Sequence, residues 1–299
     1  MPLAFHTLDV FTDRPFTGNP LAVVTDADRL SGARMQAIAR EFNLSETIFV
    51  LTPADPANTA AVRIFTPASE LPFAGHPTIG CAVLLAGLDR KAGCPFETTV
   101  RLEEKLGVVP VVVRRLGPEP AYGEFTAPVL PQPGGDVPEA GLIAKALSLE
   151  PAEIGFSSHA PSVYKAGNSF LFVPLRSRRG LAGARADTGG WGAVRDAGAV
   201  GVYLYCAGAG DVDFHARLFA PDQGIPEDPA TGSAAATLPG PLAAAERRND
   251  GVHRWTILQG EDMGRPSRIR VEAEITAGHV STVRVGGQAV PVSEGTIIV

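Results

Sequence analysis

Three side chains able to move a proton stand in turn-rich settings of this 299-residue chain. Glu46 lies in Asn43-Leu44-Ser45-Glu46-Thr47, His76 in Gly75-His76-Pro77-Thr78, and Asp228 in Asp228-Pro229-Ala230-Thr231-Gly232-Ser233. A carboxylate, an imidazole and a second carboxylate can take, hold and return a proton. The last two precede segments that read as small-residue helices, Ile79-Gly80-Cys81-Ala82 and Ser233-Ala234-Ala235-Ala236. Small residues at a helix start leave the first backbone N–H groups bare, and such an end attracts a carboxylate or phosphate. The set therefore suits proton transfer on a small anion. Each member has a plainer reading. Taken alone, Glu46 is a solvated acid at a strand entrance. His76 is a helix cap that never ionises, and Asp228 is a cap or an arginine partner. Asn19 and Ser45 stand evenly between turn or cap roles and site contact.

The elements that must carry these residues repeat. Moving Arg63-Ile64-Phe65-Thr66-Pro67 forward by 154 positions places Arg63 on Arg217, Phe65 on Phe219 and Pro67 on Pro221 (217 − 63 = 154). Pro72 then falls on Pro226 and Ala82 on Ala236. Both copies read strand, turn, small-residue helix, which indicates an internal duplication. Two similar domains with their helix starts facing across a cleft are expected, and such clefts commonly bind ligands.

Strands are expected from Phe5, Leu21, Ile48, Thr99 and Val108, with a Ser31-capped helix bearing Met35, Ile38, Ala39 and Phe42 on one face. The first motif helix should stop at Gly87 and Asp89-Arg90-Lys91. Pro118 to Pro120 marks the expected domain crossing, and Tyr122 to Thr126 the start of the second half. The domains are then 1–118 plus about 287–299, the last strand returning to the first domain, and 119–286. Arg176 to Asp187 reads as a solvated, mobile loop. Pro239 and Pro241 should shorten or kink the second motif helix. The fold class is α+β, mainly antiparallel sheets around buried helices.

A net charge of −6 argues against a nucleic-acid surface. No apolar run approaches membrane-spanning length. The first residues read as a strand and not as a secretory signal, so a cytoplasmic location is expected. Cys81, Cys94 and Cys206 fit reduced thiols and lack metal-ligand spacing. Neither a glycine-rich phosphate loop nor a Gly-x-Ser-x-Gly elbow occurs. Proton transfer without cofactor or metal is the chemistry left best supported.

Several segments, in order, resemble the PhzF-like isomerases of the diaminopimelate-epimerase-like superfamily. They are Asp9-Val10-Phe11-Thr12 with Phe16-Thr17-Gly18-Asn19-Pro20, Asn43 to Thr47, Arg63 to Gly80, Phe214 to Ala236, and Gln259-Gly260 with Met263-Gly264-Arg265-Pro266-Ser267. The resemblance covers essentially the whole chain. It implies two similar domains, each a rolled antiparallel sheet around a central helix. It implies that Glu46 is the principal acid/base and that His76 and Asp228 bind and polarise substrate. Gly75, Gly232 and Ser233, with Thr231, Asn19 and Ser45 at matching motif positions, would hold the substrate. A small anionic metabolite and a homodimer are implied too. Superfamily members that epimerise amino acids use two facing cysteines; Ala74 and Pro229 occupy those positions here, and neither moves a proton. One-carboxylate chemistry remains. The alternative is a catalytically silent small-molecule binding protein of the same fold.

Overall fold

The two Arg-x-Phe-x-Pro segments build the same local apparatus. In the computed structural model of the protein, which describes residues 2–88, 90 and 93–299, Arg63 donates to both carboxylate oxygens of Glu70 at 2.7 and 2.8 Å. Arg217 does the same to Glu227, at 2.7 and 2.8 Å. Each guanidinium lies over the phenylalanine two residues on, 5.1 Å from the Phe65 ring and 4.7 Å from Phe219. Residues i and i+2 of a strand share a face, so the Arg-x-Phe spacing produces this stack. Both arginines are structural.

Contacts divide the chain into two units: residues up to Pro128 with Gly286–Val299, and Val129–Val285. The first contains β1 (Leu3–Val10), β2 (Asn19–Val24), α1 (Gly32–Phe42), β3 (Glu46–Leu51), β4 (Ala60–Phe65) and β5 (Glu70–Leu71). It continues with α2 (Gly75–Gly87), β6 (Phe96–Glu104), β7 (Gly107–Arg115) and β8 (Tyr122–Thr126). The second contains β9 (Gln132–Pro133), α3 (Ala140–Ala146), β10 (Ser162–Ala166), β11 (Asn168–Pro174), α4 (Arg178–Gly183), α5 (Gly192–Asp196) and β12 (Gly201–Ala207). It ends with β13 (Phe214–Ala220), β14 (Ile225–Asp228), α6 (Gly232–Thr237), α7 (Pro239–Glu246), β15 (Gly251–Gln259) and β16 (Ser267–Thr276). The final strand, β17 (His279–Ile297), enters the first unit at Gly286.

In the first unit the sheet closes on itself. β1 pairs antiparallel with β2 and with the end of β17. Pairing then runs β2 to β3, β4, β6, β7 and β8, and β8 also pairs with β17. β8 thus belongs to the first unit, which runs on to Pro128 instead of stopping near residue 118. α2 is enclosed, with eleven of its residues buried. A long apolar helix can be satisfied only by such a wrap. Gly80 makes the close approach workable: a Cβ there would lie 2.5 Å from Leu21 and 2.8 Å from Val10, both fully buried. Gly80→Ala should therefore lose about 1–2 kcal/mol despite its better helix propensity, read by urea denaturation. α1 packs outside this sheet through Met35, Ile38 and Ala39 against Phe49 and Phe65. Ser31 caps it, accepting from Arg34 N.

In the second unit β13 is flanked by β12 and β15, and its end pairs with β14. α6 is buried through Ala234, Ala235 and Ala236. It breaks at Leu238, where Pro239 has no N–H to continue the ladder, and α7 follows. Half of the expected mobile loop at Arg176 to Asp187 is instead α4. Ser177 caps it by accepting from Gly180 N, and Leu181 and Ala184 enter the core. Arg217 Nη1 accounts for this order, donating to the carbonyls of Leu181 and Ala184 at 2.9 Å each. α2 ends at Gly87 as expected; of the three charged stop residues, Asp89 and Lys91 lie outside the described residues. Cys81 and Cys206 are buried, Cys94 is exposed, and all three are free. Among the described residues no helix is long and apolar enough to cross a membrane.

Candidate active-site residues

Glu46 opens β3, paired with Leu21 of β2 in parallel register, and is only 8% exposed. The solvated reading of this acid therefore fails. Its Oε2 lies 3.4 Å from Nε2 of His76, the second residue of α2. That separation exceeds an ordinary N–H···O bond. Asn19 completes the cluster, its amide nitrogen 3.2 Å from His76 Nδ1. Asn19 is placed by a tight turn: Gly18 has φ +68°, and a Cβ there would sit 2.4 Å from the Val10 carbonyl oxygen. Ser45 is half-buried directly before Glu46, and Gly75 is buried as the first residue of α2. Ala74 precedes that helix without a side-chain cap.

Burial pushes the His76 imidazole down to about 3, and a hydrogen bond with the Pro20 backbone only partly opposes it. His76 is therefore neutral near pH 7, and its contact with Glu46 is no ion pair. The unfolded chain takes up this proton near pH 6.5 while the native protein refuses it. The His76 contribution to stability should thus fall as pH drops from 6.5 toward 3, by up to about 1.4 kcal/mol per unit. Urea titrations across that range should show this slope in the difference between wild type and His76→Gln, from which the contributions of other groups cancel.

In the second unit, Asp228 ends β14 and Thr231 precedes α6. Thr231 Oγ1 donates to Asp228 Oδ2 at 2.6 Å. Gln259, fully buried at the end of β15, ties this loop down. Its amide nitrogen donates to the Asp228 carbonyl at 2.8 Å and to Thr231 Oγ1 at 3.0 Å, and its oxygen accepts from Thr231 N at 3.2 Å. The hydroxyl of Thr231 accepts from Gln259 and so spends its only proton on Asp228, whose Oδ2 is an acceptor here. Gly232 and Ser233 start α6 without a side-chain cap. Gln259 received no role from the sequence. The signal was present: Trp255, Ile257 and Gln259 alternate on one buried face, and a polar residue there needs partners.

The structure thus brings Asn19, Glu46 and His76 together within the first unit, and Asp228, Thr231 and Gln259 within the second. A sequence profile of the phenazine biosynthesis-like protein family, PhzC-PhzF, matches residues 8–295. The chain belongs to this family. A protein of Mesorhizobium japonicum named as an uncharacterised isomerase is 40% identical over 97% of both chains. The trans-2,3-dihydro-3-hydroxyanthranilate isomerase of Pseudomonas aeruginosa is 38% identical over 97% of this chain and 98% of that protein. The crystal structure of a PhzF-family protein from Bacillus anthracis superposes with a TM-score of 0.87 over 100% of both chains, at 24% identity. That likeness shows the fold, the α+β fold of two similar domains expected from sequence. With isomerases among its family relatives, this PhzF-family chain is an enzyme of the isomerase class.

Proposed function

We propose that the protein isomerises a small carboxylate-bearing metabolite by moving one proton between carbons, without a cofactor and with Glu46 as the acid/base. The observation that carries this is a buried carboxylate set against a neutral imidazole instead of a cation. A buried carboxylate beside a neutral imidazole suits proton exchange with a bound substrate. Glu46 takes a proton from carbon next to an activating group. The electron pair moves into the conjugated substrate, and the same proton returns at another carbon. No oxidant or reductant enters the balance.

His76, steadied by Asn19, polarises the substrate beside Glu46. Asp228, fixed by Thr231 and Gln259, accepts a hydrogen bond from a substrate N–H or O–H. Ser45 and the backbone N–H groups at Gly75, Gly232 and Ser233 hold the carboxylate. The substrate offered first is trans-2,3-dihydro-3-hydroxyanthranilate, on which the Pseudomonas relative acts by its name. The test is incubation of dialysed, chelator-treated protein with this compound and a panel of other small carboxylates, read by NMR. Accumulation of an isomer supports the reading. Unchanged spectra across the panel overturn it.

A further inference from the structure

Glu104 ends β6 on the inward face shared with Val100 and Leu102, and all three are buried. Its Oε1 lies 2.6 Å from Thr78 Oγ1, and the same hydroxyl lies 2.8 Å from the Ala74 carbonyl oxygen. Thr78 has one hydroxyl proton for two acceptors. If that proton went to Glu104, two lone pairs would face each other across 2.8 Å at Ala74. If it goes to Ala74, the usual back-bond of a helical threonine, the short contact needs a proton from Glu104. We propose that Glu104 is held protonated in the native protein, and that its proton, donated to Thr78, fixes the first turn of α2 that carries Gly75 and His76. Glu104 is then a positioning residue. That role rests on the function proposed above; the protonation does not.

The surroundings agree. Glu104 Oε2 has no hydrogen-bond partner among the described residues. An ionised carboxylate there would be an unpaired buried charge, which is far costlier than one unfilled acceptor of a neutral acid. α2 brings His76 and Cys81 near; β4 brings Arg63, which is committed to Glu70. The buried positions of β7 and β8 are uncharged. Of the other strands packed on α2, β1 and β3 bring the acids Asp9 and Glu46. His76 is neutral, so no cation from these elements is set against Glu104. Burial pushes the Glu104 carboxyl up to about 8.

The test has two readouts that need no turnover. Infrared difference spectra between wild type and Glu104→Gln at neutral pH should show one protonated-carboxyl band that disappears as pH rises through about 8. NMR of histidine-labelled protein, with His76 assigned by its loss in His76→Gln, should show its ring signals moving over the same range. They should stay fixed in Glu104→Gln, whose amide donates to Thr78 without titrating. Thr78→Ala, which removes the acceptor, should shift the infrared band and serves if the glutamine variant does not fold. Absence of the band, an unshifted band in Thr78→Ala, or equal His76 movement with glutamine at 104 overturns the proposal. Should the protein isomerise none of the test carboxylates, these spectra still decide the protonation.

Discussion

Glu46→Gln should fold like the wild type, bind substrate with little change in KM, and lose turnover by roughly 10²–10⁴-fold, the usual contribution of a positioned acid/base. The amide matches the carboxylate in shape but cannot accept a proton from carbon. Binding is assigned mostly to other groups, so the loss falls on kcat. Stability should hardly drop, because Glu46 forms no ion pair with His76 in the native protein. Steady-state kinetics beside thermal unfolding checks both halves. A kcat within tenfold of wild type would remove Glu46 from the chemistry; a large loss of stability would show that it was holding the fold.

Arg217→Leu should cost about 3–5 kcal/mol in denaturant unfolding, the range for breaking a buried pair by removing one partner. The Arg217 side chain is 4% exposed. It holds Glu227 through two bonds and also satisfies carbonyls at the end of α4. Leucine fills much of the volume but leaves the Glu227 carboxylate and those carbonyls unpaired. The repeat supplies a control. Arg63 is 31% exposed, and Glu70 keeps Lys105 at 2.7 Å when Arg63 is lost. Arg63→Leu should cost well under half as much, since exposed pairs contribute about 0–1 kcal/mol. Equal losses would mean that burial is not what sets the value. Because Glu227 directly precedes Asp228, the Arg217 variant should also lose activity.

Much of this was legible in the residues. The shared Arg-x-Phe-x-Pro showed the duplication because its spacing is a strand face, and the structure repeats both the ion pair and the ring stack. The α1 cap at Ser31 and the break before Pro239 followed from local chemistry. Glu46 was harder: an acid before an apolar strand looks solvated until the wrap of β1, β2 and α2 is known. α4 was missed because Gly180, Gly183 and its basic neighbours read as a loop, while the guanidinium that organises it lies 36 residues beyond Leu181. Glu104 and Gln259 each interrupt an apolar alternation on a buried face. That pattern marks a polar residue needing partners, but only the fold shows that the partners are Thr78 and the Asp228 loop.

The most direct test of proton transfer at carbon is a single-turnover reaction with trans-2,3-dihydro-3-hydroxyanthranilate deuterated at its two saturated ring carbons, followed by rapid quench and NMR. Transfer by Glu46 predicts conversion slower than with unlabelled substrate, and loss or relocation of the label at one of those carbons. Equal rates with both deuterons still in place would contradict it.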